Sequence, residues 1–250
     1  MSKRIRYSIY AAVAVYFIGL IVFLPARLVV GFAPLPENIQ LQGISGTVWN
    51  GRVDYVQFDG RALEQIEWQV FPLALLAGQI AADVRIAATE ANPITGSSHI
   101  QAGLFSSVRV ENARFNAELG KLSAWLDIPN LVPLQGDVVL GITEFELGNP
   151  VCSSLDSRVG VYAVKTRIGR QWHSLGDFAM QLGCEEGWAS VQVNPENSLG
   201  LTVNGRFAPG NVDLGVAMRP SSSTPAPIRD LLRMVGEPDS SGQFSFRIRL

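Results

Sequence analysis

The segment Gln79-Ile80-Ala81-Ala82-Asp83-Val84-Arg85-Ile86-Ala87-Ala88 sets Ile80, Ala82, Val84, Ile86 and Ala88 at alternate positions, with Gln79, Asp83 and Arg85 between them. Successive side chains of a strand point to opposite faces, so this period of two describes a strand with one buried side. The same spacing recurs along the chain. Leu199, Leu201, Val203 and Phe207 are offset from Thr202, Asn204 and Arg206, and Val212, Leu214, Val216 and Met218 form another such face. At the end of the sequence Phe244, Phe246, Ile248 and Leu250 alternate with Ser245, Arg247 and Arg249, which predicts a terminal strand docked on a sheet.

Between these runs lie Asn50-Gly51, Asp59-Gly60, Asn204-Gly205 and Pro209-Gly210-Asn211, residues that accept positive φ or tight reversal and so predict antiparallel connections. Asn204-Gly205 is alternatively a bulge within one strand, because the alternation continues to Phe207. With 24 glycines, many inside strand-like stretches, a bent or coiled sheet is expected rather than a flat one. Short helices are expected at Leu73–Ala77, opened by Pro72 and closed by Gly78, and at Pro227–Val235, with Gly236 as its cap. The stretch Gly120–Leu126 is a third short helical candidate. The segment 126–136, with Pro129 and Pro133, is the best joint between two β-rich halves, and a Leu-Gln-Gly triplet at Leu41–Gly43 recurs at Leu134–Gly136.

The chain has 250 residues, 47% hydrophobic and 17% charged, with 20 basic against 22 acidic side chains. That balance argues against a nucleic-acid partner, which demands a basic surface. Lys3, Arg4 and Arg6 are the only charges before Arg27, so the run from Tyr7 to Ala26 carries none. A helix of that length spans the ~30 Å hydrocarbon layer. The basic cluster ahead of it places the N-terminus in the cytoplasm. A cleavable signal peptide is the alternative, but Pro34 and Pro36 crowd the small residues near Gly31–Ala33. The expected organisation is a cytoplasmic tail over residues 1–6, a transmembrane helix over 7–26 and a periplasmic β-rich domain over 27–250. The fold class is thus an all-β exported domain, a curved antiparallel sheet or sheets with two or three short helices, behind one membrane helix.

Cys152 and Cys184 both fall in the exported part, where disulfides persist. Neither has a CxxC partner or a neighbouring His, so one structural bridge is the simplest reading, with two buried free thiols as the alternative. No catalytic, cofactor-binding or metal-binding residue stands out. His99 and His173 are the two histidines, with no ligand spacing around them, and no nucleophile elbow or phosphate loop occurs. Glu64/Glu67, Glu144/Glu146 and Glu185/Glu186 are spaced as any solvent-facing strand or turn would space them. Trp49, Trp68, Trp125, Trp172 and Trp188 have no basic patch around them and read as packing residues. Trp68 shares strand parity with Ile66 and Val70, and the turn after Pro72 is expected to cover the sheet end beside it.

These residues resemble the type II secretion system protein N family. The resemblance runs from the basic N-terminus and apolar run to Gly46-Thr47-Val48-Trp49-Asn50-Gly51, then to Trp68, Pro72, Leu75 and Gly78 in the order W-x-x-x-P-x-x-L-x-x-G. It continues through Cys152, Leu175-Gly176, Leu182-Gly183-Cys184-Glu185, the Leu199–Phe207 strand, Leu231-Leu232 and the strand after Gly242. The resemblance implies an inner-membrane protein with its bulk in the periplasm, working by contact in a machine that exports folded proteins. It implies the C, L and M inner-membrane components and the secretin as neighbours; the missing motifs are what argue against an enzyme or a cofactor, with a periplasmic enzyme as the third reading. The G-x-V-W-x-G and W-x-x-x-P patterns are also similar to AsmA-like proteins, which keeps a second reading, a lipid-holding groove. Trp49, Trp68, Pro72, Leu75 and Gly78 are expected as a packing motif. Phe244, Phe246, Ile248 and Leu250 are expected as an edge strand able to recruit a partner.

Overall fold

The computed structural model describes residues 3–32, 36, 38–103, 107–127, 132–222, 224–235 and 237–249. The chain divides into two compact units, Met1–Asn92 and Pro93–Leu250.

The first unit opens with helix α1, Lys3–Val22. Pro25 has no N–H to continue the helix and pushes Leu24 out of helical geometry, so the expected Tyr7–Ala26 helix stops at Val22. Pro25 instead bridges to Thr47, and a second short helix, α2, runs from Ala26 to Phe32. Among the described residues no helix is long and apolar enough to cross a membrane.

Five strands follow: β1 Ile39–Gln42, β2 Ser45–Gly46, β3 Asn50–Phe58, β4 Arg61–Val70 and β5 Gln79–Ile86. They pair antiparallel in the order β1-β3-β4-β5, with β2 beside β3. Asp59 and Gly60 turn between β3 and β4 with φ of 47° and 79°. Positive φ at both positions makes a hairpin turn whose twist matches the strands. Asn50-Gly51 is not a reversal: it opens β3, and the turn lies just before it, where the Thr47 N–H donates to the Asn50 carbonyl at 2.9 Å.

The quoted segment forms β5, and Ala82, Val84 and Ile86 face Val70, Trp68 and Ile66 across the ladder. Its first residues depart from the pattern, for Ile80 is 50% exposed while Ala81 is buried. The ladder to β4 begins only at Ala82, so that pairing does not impose the alternation before it. Ala88 lies beyond the strand.

The second unit is an antiparallel meander of β6 Ile94–Gly103, β7 Val108–Glu118, β8 Leu134–Leu147, β9 Cys152–Ile168, β10 Gln171–Glu185, β11 Trp188–Val193, β12 Thr202–Ala208, β13 Asn211–Met218 and β14 Phe244–Arg249. Each of these pairs with the next in sequence. The long strands β8, β9 and β10 are interrupted by register shifts, which bend a strand and raise its twist. At one of them Gly176 has φ 72° and Ala163 opposite has φ 50°. The Ala163 N–H, turned out of the ladder, donates to the Asp177 carboxylate at 2.8 Å.

Asn204-Gly205 runs straight through β12 in an unbroken ladder, neither a turn nor a bulge. A Cβ at Gly205 would lie 2.2 Å from the Asp213 carbonyl, so a close approach of backbones requires the glycine there. The segment 126–136 connects β7 to β8, which pair with each other up to Glu118 and Asp137, so it lies inside one unit and returns a hairpin. Within it 128–131 lie outside the described residues.

Helices α3, Leu119–Trp125, and α4, Ala226–Val235, sit close to the expected positions. The expected cap Gly236 lies outside the described residues. Val138, Val161, Val164, Leu175 and Ile228 form the core, with Leu119 and Leu122 of α3, Leu232 of α4, Leu199, Phe178 and Met180 packed against it. Arg229, Asp230 and Arg233 of α4 stay exposed, so this helix presents an apolar stripe to the sheet.

Candidate interaction surface

Strand β14 pairs with β13 from Met218–Phe244 to Asp213–Arg249. It is last in the strand order, and among the described residues no strand lies on its other side. A strand paired on one side directs alternate N–H and C=O groups away from its partner. Phe244 is buried, Phe246 half-buried and Ile248 exposed, on the face opposite Ser245, Arg247 and Arg249. Leu250 lies outside the described residues.

The sequence reading missed Asp213, which fastens this strand. Arg247 donates from Nε and Nη2 to Asp213 Oδ1 and Oδ2, and Arg249 Nε stands 3.5 Å from Oδ1. The Arg247 hydrogen bond, together with the charges of Arg247 and Arg249, holds the Asp213 carboxyl at about 2. The signal was available in the sequence, since Asp213 lies between the apolar positions Val212 and Leu214, on the face where Arg247 and Arg249 lie in the last strand.

One row of paired residues crosses the second unit on this side: Ser97, Arg114, Gly141, Arg158, Gln181, Gln192, Asn204, Gly215 and Arg247. None is a large apolar residue. Beside it a concavity of about 810 Å³ is lined by Gln181, Gln192, Asn204, Arg206, Asp213 and Arg247, among others. The AsmA-like reading calls for an apolar trough, whereas these side chains make a polar one. Val161 and Val164 of β9 and Leu175 of β10 pack instead in the core with Ile228 of α4 and Leu119 and Leu122 of α3.

The carboxylate pairs are scattered. Arg109 lies near Glu111, Glu144 and Glu146, with its closest approach, 3.4 Å, to Glu146. The Ser107 hydroxyl also donates to Glu146, and that bond, then Arg109, holds the Glu146 carboxyl below its ordinary range. His99 is paired in register with Glu111, and its Nε2 is 3.1 Å from Gln101 Nε2. His173 lies on β10 opposite Thr166. Glu186, at the β10–β11 turn, pairs with Arg206 at 3.0 Å. Glu64 has its backbone N–H and carbonyl bonded by the buried Asn92 side chain.

The motif of the first unit divides into two parts. Trp68 donates its indole N–H to the Val48 carbonyl at 3.0 Å, and a Cβ on Gly51 would meet the Trp68 ring at 2.5 Å. Trp49 donates to the Ile21 carbonyl at 2.8 Å, which ties the Thr47–Asn50 turn to the end of α1. Pro72 opens a 3-10 turn, Pro72–Ala77, capped by Gly78 at φ 71°. No residue of that turn is buried, and Leu75 is 44% exposed, so the turn does not cover the sheet end as expected. A 3-10 turn of this length eclipses residues three apart, which sets Leu73 and Leu76 on one side, and both are exposed.

Cys152 and Cys184 form a disulfide, with Cα atoms 6.1 Å apart, joining the start of β9 to the end of β10. Trp188 and Trp172 lie under the guanidinium groups of Arg206 and Arg167.

The fold is therefore that of a predominantly antiparallel β protein with a few short helices, built on an open meander whose last strand has no further strand beside it among the described residues. The sequence pattern of the family described as Type II secretion system (T2SS), protein N, matches residues 37–247, and the chain belongs to that family. It is 24% identical over 253 residues to the type II secretion system protein N of Vibrio cholerae serotype O1 (strain ATCC 39315 / El Tor Inaba N16961), covering 98% of both chains. It is 27% identical over 240 residues to the protein of the same name from Aeromonas hydrophila, covering 91% of both. No solved structure matches.

Proposed function

We propose that this chain is an inner-membrane-anchored, periplasmic component of the type II secretion machinery that acts by protein–protein contact and not by catalysis. Family membership supports its place in that machine. The charge-free run Tyr7–Ala26 behind Lys3, Arg4 and Arg6 supports the anchor, with the N-terminus cytoplasmic. Its partners are the C, L and M inner-membrane components, with the secretin beyond them.

The observation that carries the contact reading is the uncovered edge of β14, a ready template for strand addition. Arg247 and Arg249 on that edge also guard it against indiscriminate pairing, as charged side chains do on edge strands. The test is in-vivo crosslinking from the full chain in a secreting cell. Deleting 242–250 is expected to weaken crosslinks to the inner-membrane components, while His99→Ala, His173→Ala, Glu144→Ala and Glu146→Ala leave secretion intact. Loss of secretion in any of those four, with membrane level and folding preserved, would replace the contact reading with an enzymatic one.

A further inference from the structure

The first unit carries an apolar surface that its own core does not use. In the 3-10 turn Leu73 is 79% exposed and Leu76 86%, and in α2 Leu28 is 50% and Phe32 89% exposed. From Phe71 to Ala82 there is no charged residue, and Arg27 is the single charge between Pro25 and Phe32. Scattered apolar residues on a surface are ordinary, but two segments that expose Leu and Phe and carry between them a single charge, Arg27, mark an interaction site.

The hydrogen bonds show which end of the sheet these residues occupy. The Trp49 indole and the Val48 N–H donate to the carbonyls of Ile21 and Leu24, and Pro25 bridges to Thr47, so α1 and α2 meet the sheet at the start of β3. That is also the end of β4, where the Val70 N–H donates to the Trp49 carbonyl at 2.7 Å, and the 3-10 turn leaves the sheet directly afterwards. The opposite end of the β3–β4 hairpin is the polar Asp59-Gly60 turn. Both leucine-bearing elements are thus fixed at the end of the unit from which α1 departs.

We propose that α2 and the Pro72–Ala77 turn form a platform that sits in the interfacial layer of the bilayer, with Leu28, Phe32, Leu73 and Leu76 among the acyl chains. This rests on the anchored reading above, since α1 leads the unit to that surface. An exposed short element rich in Leu and Phe and without acidic residues is what partitions into that layer. The bilayer would hold the first strands close to the membrane surface.

The test uses the full chain reconstituted in vesicles of phosphatidylethanolamine and phosphatidylglycerol, with a benzophenone amino acid replacing Leu76, Leu28 or, as control, Gln40, an exposed strand residue paired with Gln57 toward the opposite end of the sheet. Circular dichroism and protease resistance equal to those of the wild type check that each variant is folded. Several-fold more lipid adducts at positions 76 and 28 than at 40 are expected. Equal adduct yields at all three, or adducts at position 76 to a second copy of the chain only, would overturn the platform. Alkaline carbonate extraction of the same vesicles reads the anchor separately. A chain that stays in the bilayer without adducts at 76 refutes the platform and leaves the anchor standing, whereas an extractable chain with such adducts refutes the anchor and supports the platform.

Discussion

Arg247 holds Asp213 with two donors at once, Nε to Oδ1 and Nη2 to Oδ2, both at 2.9 Å, and so fastens the last strand of the sheet to its neighbour by side chains as well as backbone. Such a two-pronged pairing fixes the geometry of both groups in a way a single contact does not. Because Arg247 lies diagonally from Asp213 across the ladder, with Arg249 directly opposite, the pair also marks the register of β14.

Asp213→Asn is expected to speed amide hydrogen exchange across Phe244–Arg249 several-fold while leaving β9 and β10 unchanged. The wild-type effect depends on pH in one direction. The folded carboxyl titrates at about 2, below its ordinary 3.8, so the restraint is fully present above that ordinary value and is lost as pH falls toward about 2. Exchange measured between pH 5 and 7 should show no titration from this pair.

Gly51→Ala should destabilise the first unit by about 1–3 kcal/mol, because the added methyl meets the Trp68 ring and the carbonyls of Ser45 and Thr47. Trp68→Ala removes the ring and its bond to Val48, for a loss of about 3 kcal/mol, as large-to-small changes against a sheet do. In the double variant the two losses should fall short of additive by part of the Gly51→Ala loss, since the methyl then escapes the ring but still meets the Ser45 and Thr47 carbonyls. Denaturant unfolding of the three variants measures this.

Asn92→Ala is expected to cost about 1–3 kcal/mol through the backbone groups it leaves unsatisfied. The Asn92 side chain is buried, accepts from the Glu64 N–H and donates to the carbonyls of Glu64 and Ala87. Asn92→Asp, which keeps the acceptor and loses the donors, should recover little of that loss.

Cys152→Ala, or reduction of the wild type, should lower stability by roughly 3–4 kcal/mol, the chain-entropy value for a loop closed across 32 positions. Unfolding curves with and without dithiothreitol should differ for the wild type and coincide for Cys152→Ala.

Local pattern was enough to read the β character of this chain, its short helices and the hairpins at Asp59-Gly60 and Pro209-Gly210. These depend on side-chain alternation and on φ preferences that each residue carries with it. The turn after Pro72 was legible as a turn, but the outward direction of Leu73 and Leu76 was not, because exposure depends on what the fold sets beside a residue. Asn204-Gly205 looked like a reversal and is a strand, since the glycine answers to the backbone at Asp213 in a neighbouring strand.

The pairing of Asp213 with Arg247, the meeting of Arg109 with Glu144 and Glu146, and the tie from Trp49 to the end of α1 join residues far apart in sequence. The charge-free run Tyr7–Ala26 reads as one helix, yet the helix ends before Pro25, and the path of the chain there is held by Thr47 and Val48. Period and turn chemistry therefore determined the elements by themselves. Which faces, edges and charges they share was decided only when distant backbones paired, for a hydrogen-bonded ladder brings residues together by register and not by their separation along the chain.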